Sequence, residues 1–86
     1  MSVEYYKKQI IDLRARLEKE KEAKKKDNET YSRYVANASS PSSKATCRKL
    51  KIDHAASHDR AIESIKRQIE SAKESLARER ERAKKK

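Results

Sequence analysis

Apolar residues recur at alternating spacings of three and four along the first half of the chain. This a/d pattern places them on one face of an α-helix, as in a helix that packs against a coiled-coil partner. The same register puts Glu20, Lys24 and Asp27 on that face, so the middle of the stripe is polar. The seam residues expected in this half are Val3, Tyr6, Ile10, Leu13, Leu17, Tyr31 and Tyr34. The pattern predicts a first helix over residues 1–38.

A second stripe with the same alternating spacing occupies the second half of the chain. It is preceded by apolar residues in a less regular phase, around residues 50–56. The seam residues expected here are Ile52, Ile62, Ile65, Ile69, Ala72 and Leu76. The spacing predicts a second helix over residues 44–82. A basic tail follows at 83–86, where cations suit the C-terminal end of a helix.

Residues 39–43, Ser-Ser-Pro-Ser-Ser, separate the two stripes. Pro41 is the only proline, and it disfavours a helical conformation at Ser40 while suiting a first helical turn itself. Serines compete with helical hydrogen bonds and are good N-caps, so Ser40 or a later serine is expected to cap the second helix. The segment is therefore predicted to be the turn of a hairpin.

Reversing the chain at this turn pairs positions whose numbers sum to about 82. The resulting pairs are Tyr6 with Leu76, Ile10 with Ala72, Leu13 with Ile69, Leu17 with Ile65, Lys24 with His58 and Asp27 with Ala55. Apolar residues of one stripe thus pair with apolar residues of the other, although the two stripes lie in separate halves of the chain. We predict an all-α fold, an antiparallel two-helix coiled-coil hairpin.

Composition supports helices and predicts a thin core. The chain has no glycine, 34% hydrophobic residues and 44% charged residues, which suits an extended rod. Disordered chains share this composition, but the regular spacing of the apolar residues favours helices over disorder. A chain of 86 residues with so few apolar side chains is expected to need a second buried face, so we predict a homodimer or tetramer. Tyr5, Ile11 and Ala15 are the residues expected to form that face.

The charge of the chain is +10, and residues 38–86 carry fourteen Lys/Arg against seven Asp/Glu. Such a basic half favours weak, non-specific association with nucleic acid. The possible contacts are Arg78, Arg80, Arg82, Lys84, Lys85 and Lys86. Acidic residues interrupt this run, which is typical of a solvated helix face. The basic run by itself therefore does not predict specific base readout.

Catalytic and metal chemistry have little support in the sequence. Cys47, His54 and His58 would share a helical face and are zinc-type ligands, but no fourth ligand is fixed, so no metal site is predicted. Without glycine there is no phosphate-binding loop, and no enzyme activity or cofactor is expected. A single cysteine, no signal-like start and no long apolar stretch predict a cytoplasmic protein without membrane insertion.

The chain resembles the N-terminal coiled-coil module that precedes the effector domain in bacterial TIR-domain and related defence proteins. The resemblance spans most of the chain and is carried by three short patterns. These are Tyr5-Tyr6-Lys7-Lys8-x-Ile10-x-x-Leu13-x-x-x-Leu17, the turn with Ser42-Ser43-Lys44, and Ile62-x-x-Ile65-x-x-x-Ile69. It implies an oligomerisation arm. The NAD-cleaving TIR domain has no counterpart in these residues, so the resemblance implies a piece of a longer protein or a stand-alone relative.

Together these observations predict a non-enzymatic oligomerisation or scaffold module, whose expected partners are further copies of itself and a fused or associated effector domain. The alternative is a basic hairpin that binds nucleic acid through its second helix. The two hypotheses predict different responses to salt, because binding to phosphates weakens steeply as salt rises.

Overall fold

The computed structural model describes residues 3–85, which form two antiparallel helices joined by a short turn. Helix α1 spans Val3–Asn37 and helix α2 spans Pro41–Lys85, and the described residues contain no strand. The hairpin is a rod whose backbone measures 70 × 14 × 12 Å. The predicted all-α helical hairpin is confirmed.

The second helix is longer than the sequence pattern predicted. It begins at Pro41 instead of residue 44 and continues to Lys85 instead of ending at 82, so residues 83–85 are helical. Proline suits the first helical position because its missing N–H would have no helical partner there. Ser40 is the N-cap, since its Oγ accepts a hydrogen bond from the Ser43 backbone N–H at 3.1 Å. Lys86 of the predicted tail lies outside the described residues.

The apolar core lies in the part of the hairpin remote from the turn. The buried cluster consists of Ile10, Leu13, Ile65, Ile69, Ala72 and Leu76, with Val3, Tyr6 and Leu17 packed partly against it. Ile62 is buried as well. No side chain within residues 3–85 is less than 2% exposed, so this core is a stripe that remains open to water along its edges.

Two predicted seam residues are exposed to solvent. Tyr34 is 53% exposed and Ile52 is 67% exposed. Ile52 precedes Ile65 by thirteen residues, which turns its side chain about 140° away from that of Ile65 on a helix of 3.6 residues per turn. A straight helix also drifts about 20° per heptad from a 3.5-residue repeat. The register carried forward from Leu17 therefore misplaces Tyr34, which packs edge-on against Tyr31 instead, with ring centroids 5.5 Å apart.

The residues predicted to form a second apolar face lie only partly on one side of α1. Tyr5, Ile11 and Ala15 are all exposed. Ile11 and Ala15 lie one turn apart on the same side of α1, but Tyr5 is rotated by about 120° from Ile11. The three residues therefore span a wider arc of α1 than a narrow apolar stripe does. Neither helix in the described part of the chain has an apolar stretch that could cross a membrane.

Candidate functional site

Ionisable side chains replace apolar ones at the seam between the core and the turn. We call these residues the polar cluster: Glu20, Lys24, Asp27 and Tyr31 of α1, with His54, His58 and Asp59 of α2. On α1 they recur at spacings of four, three and four, which continues the stripe of the apolar seam. The cluster therefore lies between the two helices and connects them directly.

His58 is at the centre of the polar cluster. Its Nδ1 lies 2.6 Å from Glu20 Oε1, and its Nε2 lies 2.6 Å from Asp27 Oδ2. Glu20 and Asp27 are seven residues apart, close to two helical turns, so both face α2 and bracket the imidazole along the axis. Both ring nitrogens face carboxylate acceptors, so each must carry a hydrogen and donate a hydrogen bond, and the arrangement is that of an imidazolium.

The electrostatics of the cluster favour this charged form. The hydrogen bond to Asp27 and then that to Glu20 raise the pKa of His58 above its ordinary value of 6.5, against the opposing effect of burial. The hydrogen bond from His58 in turn holds the pKa of Asp27 below 3.8, again with burial opposing. The His58 side chain is 17% exposed and that of Asp27 is 38% exposed, so water screens part of this attraction.

Three further contacts extend the cluster around His58. Towards the turn, His54 Nε2 lies 3.0 Å from the Tyr31 hydroxyl, and the two rings are tilted with centroids 4.6 Å apart. His54 Nδ1 is 3.7 Å from Asp27 Oδ2, so Asp27 faces both histidines. At the solvent edge, Lys24 Nζ donates to Asp59 Oδ1 at 2.6 Å. Each of these contacts joins α1 to α2.

The sequence pattern placed the α1 residues of the cluster at the seam but did not give their hydrogen-bond partners. Lys24 was expected beside His58 and Asp27 beside Ala55, whereas Lys24 reaches Asp59 and Asp27 reaches His58. Glu20 was placed on the seam without a partner. A search for opposite charges within one turn of the predicted pair would have found the contact, because long side chains reach diagonally across the seam.

Cys47, His54 and His58 do not form a metal site. His58 directs both nitrogens at carboxylates, His54 contacts Tyr31, and Cys47 is a free, half-buried thiol. Within residues 3–85, no group of three or more His, Cys, Asp or Glu residues has an arrangement that could hold a metal ion.

The basic residues at the end of α2 are exposed but do not form one patch. Arg78, Arg82 and Lys85 recur at spacings of four and three and share one side of the helix, while Arg80 and Lys84 lie on the other side. Arg82 also pairs with Glu79 at 3.1 Å, which reduces the positive charge of that side. Lys86 lies outside the described residues.

The chain was compared with protein families, curated proteins and solved structures. No protein-family model matches the sequence, and neither the search of curated proteins nor the search of solved structures gave a significant match.

Proposed function

We propose that the chain is a non-enzymatic self-association and scaffold module, which assembles with further copies of itself. The observation that carries this proposal is the surface left open by two helices. The chain has 6657 Å² of accessible surface at a mass of 10.0 kDa. A compact single-chain protein of that mass exposes about 5,200 Å². The excess is larger than the roughly 800 Å² that each partner buries in a standard protein interface.

Exposed apolar side chains indicate where a second copy would pack. Ile52, Leu50 and Tyr34 are all exposed near the turn, and Ile11 is 65% exposed on the outer side of α1. Leu50 and Ile52 are two residues apart and point to nearly opposite sides of α2. The hairpin thus offers apolar contacts on both flanks of its turn end, which suits a homodimer or tetramer built by lateral packing.

Sedimentation velocity over a range of protein concentrations tests this proposal. We expect the wild-type chain to form dimers or larger species at micromolar concentrations, and Ile52→Gln to shift them towards single chains. Ser57→Gln is the matched control, because it introduces the same side chain at an exposed position of the same helix. Association should strengthen with salt, since each copy carries a charge of +10 and salt screens their repulsion. A single-chain species at every concentration and salt would refute the proposal.

The resemblance to the coiled-coil arm of bacterial TIR-domain defence proteins extends this proposal to an assembly role in the cytoplasm. The two helices are antiparallel, so Val3 and Lys85 lie at the same end of the rod. An attached effector domain would then sit at the end that contains the apolar core, and the turn would point away from it. Fusion of a reporter domain at either terminus should leave self-association through the turn end intact.

A second candidate function is binding to nucleic acid, favoured by the shared side of Arg78, Arg82 and Lys85. Measuring the affinity for duplex and single-stranded DNA at increasing salt would test it. The affinity should fall steeply as salt rises, because the release of counterions from the phosphates then contributes less to binding. The double variant Arg78→Gln with Arg82→Gln should weaken binding, whereas Lys66→Gln with Arg67→Gln should weaken it less. Absence of binding at physiological salt would leave self-association as the function.

A further inference from the structure

We propose that Glu20, His58 and Asp27 form a pH-sensitive clasp, which holds the turn side of the hairpin closed while the His58 imidazole is protonated and loosens it when that proton is lost. By the turn side we mean residues 20–37 of α1 and 41–61 of α2. The proposal does not depend on self-association, because the clasp lies within one chain.

The chemistry of imidazole makes this contact conditional. A neutral histidine has one N–H donor and one lone-pair acceptor, and either tautomer leaves a lone pair pointing at a carboxylate. At 2.6 Å on both sides of His58, that lone pair would face an anionic oxygen at hydrogen-bond distance. No tautomer of the neutral ring satisfies both Glu20 and Asp27, so loss of the proton must break one of the two contacts between the helices.

The surrounding charges do not compensate for a lost proton. From α1, the charged groups that face this site are Glu20, Asp27 and Lys24, and from α2 they are His54 and Asp59. The Lys24 ammonium is already bound to Asp59 at 2.6 Å. Three carboxylates therefore share the Lys24 and His58 cations, and they keep only Lys24 when His58 becomes neutral. His54 stands 3.7 Å from Asp27 and is too distant to replace a hydrogen bond of 2.6 Å.

Apart from the polar cluster, the turn side is held together by side chains that are at most half-buried. Every buried side chain within residues 3–85 belongs to the segments 10–13 and 62–76, so none lies on the turn side. The cross-helix hydrogen bonds between side chains of these residues are those of the polar cluster. Loss of the His58 bridge should therefore open this side locally and leave the apolar core packed.

The direction of the pH dependence follows from the pKa of His58. Because that pKa is raised above 6.5, the contribution of His58 is fully present below pH 6.5 and is lost as pH rises through the folded-state pKa. The clasp should thus loosen on the alkaline side of 6.5. Acid acts differently, through protonation of Asp27, whose pKa lies below 3.8.

The test is an NMR titration of both histidines combined with amide hydrogen exchange on the full chain. We expect a His58 pKa above 6.5. Turn-side amides should lose protection as pH rises through it, after correction for the intrinsic pH dependence of exchange. This loss of amide protection should reach about tenfold for each unit by which the pKa of His58 exceeds 6.5. Amides of residues 10–17 and 65–76 should keep their protection.

Variants separate the clasp from a general effect of pH. His58→Gln should remove the pH dependence of turn-side protection, and the matched control His54→Gln should retain it. If His58→Gln does not fold, Glu20→Gln and Asp27→Asn keep the histidine and should each lower its pKa towards 6.5. A His58 pKa of 6.5 or below in the wild-type chain would overturn the proposal, as would unchanged pH-dependent opening in His58→Gln.

Discussion

The two ends of the hairpin fill equivalent seam positions with different chemistry. In the core half, remote from the turn, Ile10 and Leu13 pack with Ile65 and Ile69 in one buried cluster. On the turn side, the continuation of the same stripe places Glu20 and Asp27 around His58. Apolar packing is non-directional and independent of protonation, whereas the ionic contact requires one protonation state and one alignment.

The two halves therefore contribute differently: the apolar core stabilises the hairpin, and the polar cluster sets the register of the two helices. Ridges of isoleucine and leucine can pack in more than one register, because the apolar repeat continues along each helix. A single histidine between two carboxylates seven residues apart fits only one of those registers. We therefore expect the core half to supply most of the stability and the polar cluster to fix which residues face each other, a role that buried polar groups have in some helical assemblies.

The largest expected effect comes from placing a charge in the core half. Leu13→Asp buries a carboxylate at a position 5% exposed, and removal of the leucine alone should cost about 2–5 kcal/mol of unfolding free energy. We expect most of the helical circular dichroism signal to disappear. Ile11→Asp is the matched control, because Ile11 is a neighbouring but exposed position. In dilute solution it should retain its helicity, and equal losses in both variants would contradict the assigned core.

Acid should weaken the turn side through Asp27. Its pKa lies below 3.8, so its stabilising contribution is present above pH 3.8 and is lost as pH falls through the folded-state pKa. The Asp27→Asn variant should show a flatter loss of thermal stability in acid than the wild-type chain. The effect should be smaller than that of Leu13→Asp, because Asp27 is partly exposed. Asp12→Asn, an exposed carboxylate on the same helix, should leave the acid profile unchanged.

The turn depends on the cap at Ser40. Ser40→Ala removes the hydrogen bond to the Ser43 N–H and should lower the free energy of unfolding by about 1 kcal/mol. Urea denaturation followed by circular dichroism would measure the change. Ser39→Ala is the control, since Ser39 is exposed and precedes the cap. A loss of equal size in both variants would argue against Ser40 as the N-cap.

The smallest effect should come from the exposed ion pairs. Lys24→Gln removes the contact with Asp59 between the helices and should cost between about 0.2 and 1 kcal/mol. Lys73→Gln removes a contact with Glu70 within one turn of α2 and should cost less than about 0.5 kcal/mol. Denaturation at low and high salt would compare them, and both differences should shrink as salt rises. A larger loss from Lys73→Gln would contradict the cross-helix role of Lys24.

The sequence by itself determined the helices, their antiparallel order and the core half. Leu13 and Ile69 could be placed in one core because the turn signal limits the registers that the apolar spacing of the two segments allows. The spacing also placed Glu20 and Asp27 on the seam. Local rules gave Ser40 or a later serine as the cap, and the structure shows that it is Ser40 and that the helix starts at Pro41.

Only the tertiary structure decided the partners within the polar cluster and the true edge of the seam. A long side chain can reach several neighbours across two helices, so the choice of His58 over Ala55 by Asp27 depends on the relative height and rotation of the helices. Drift of the heptad register over several turns also left Tyr34 exposed, whereas Ile52 is exposed because its spacing from Ile65 is out of phase with the stripe. The spacing of residues along the chain gives neither the relative height nor the relative rotation of the two helices, since both are set by how the helices pack.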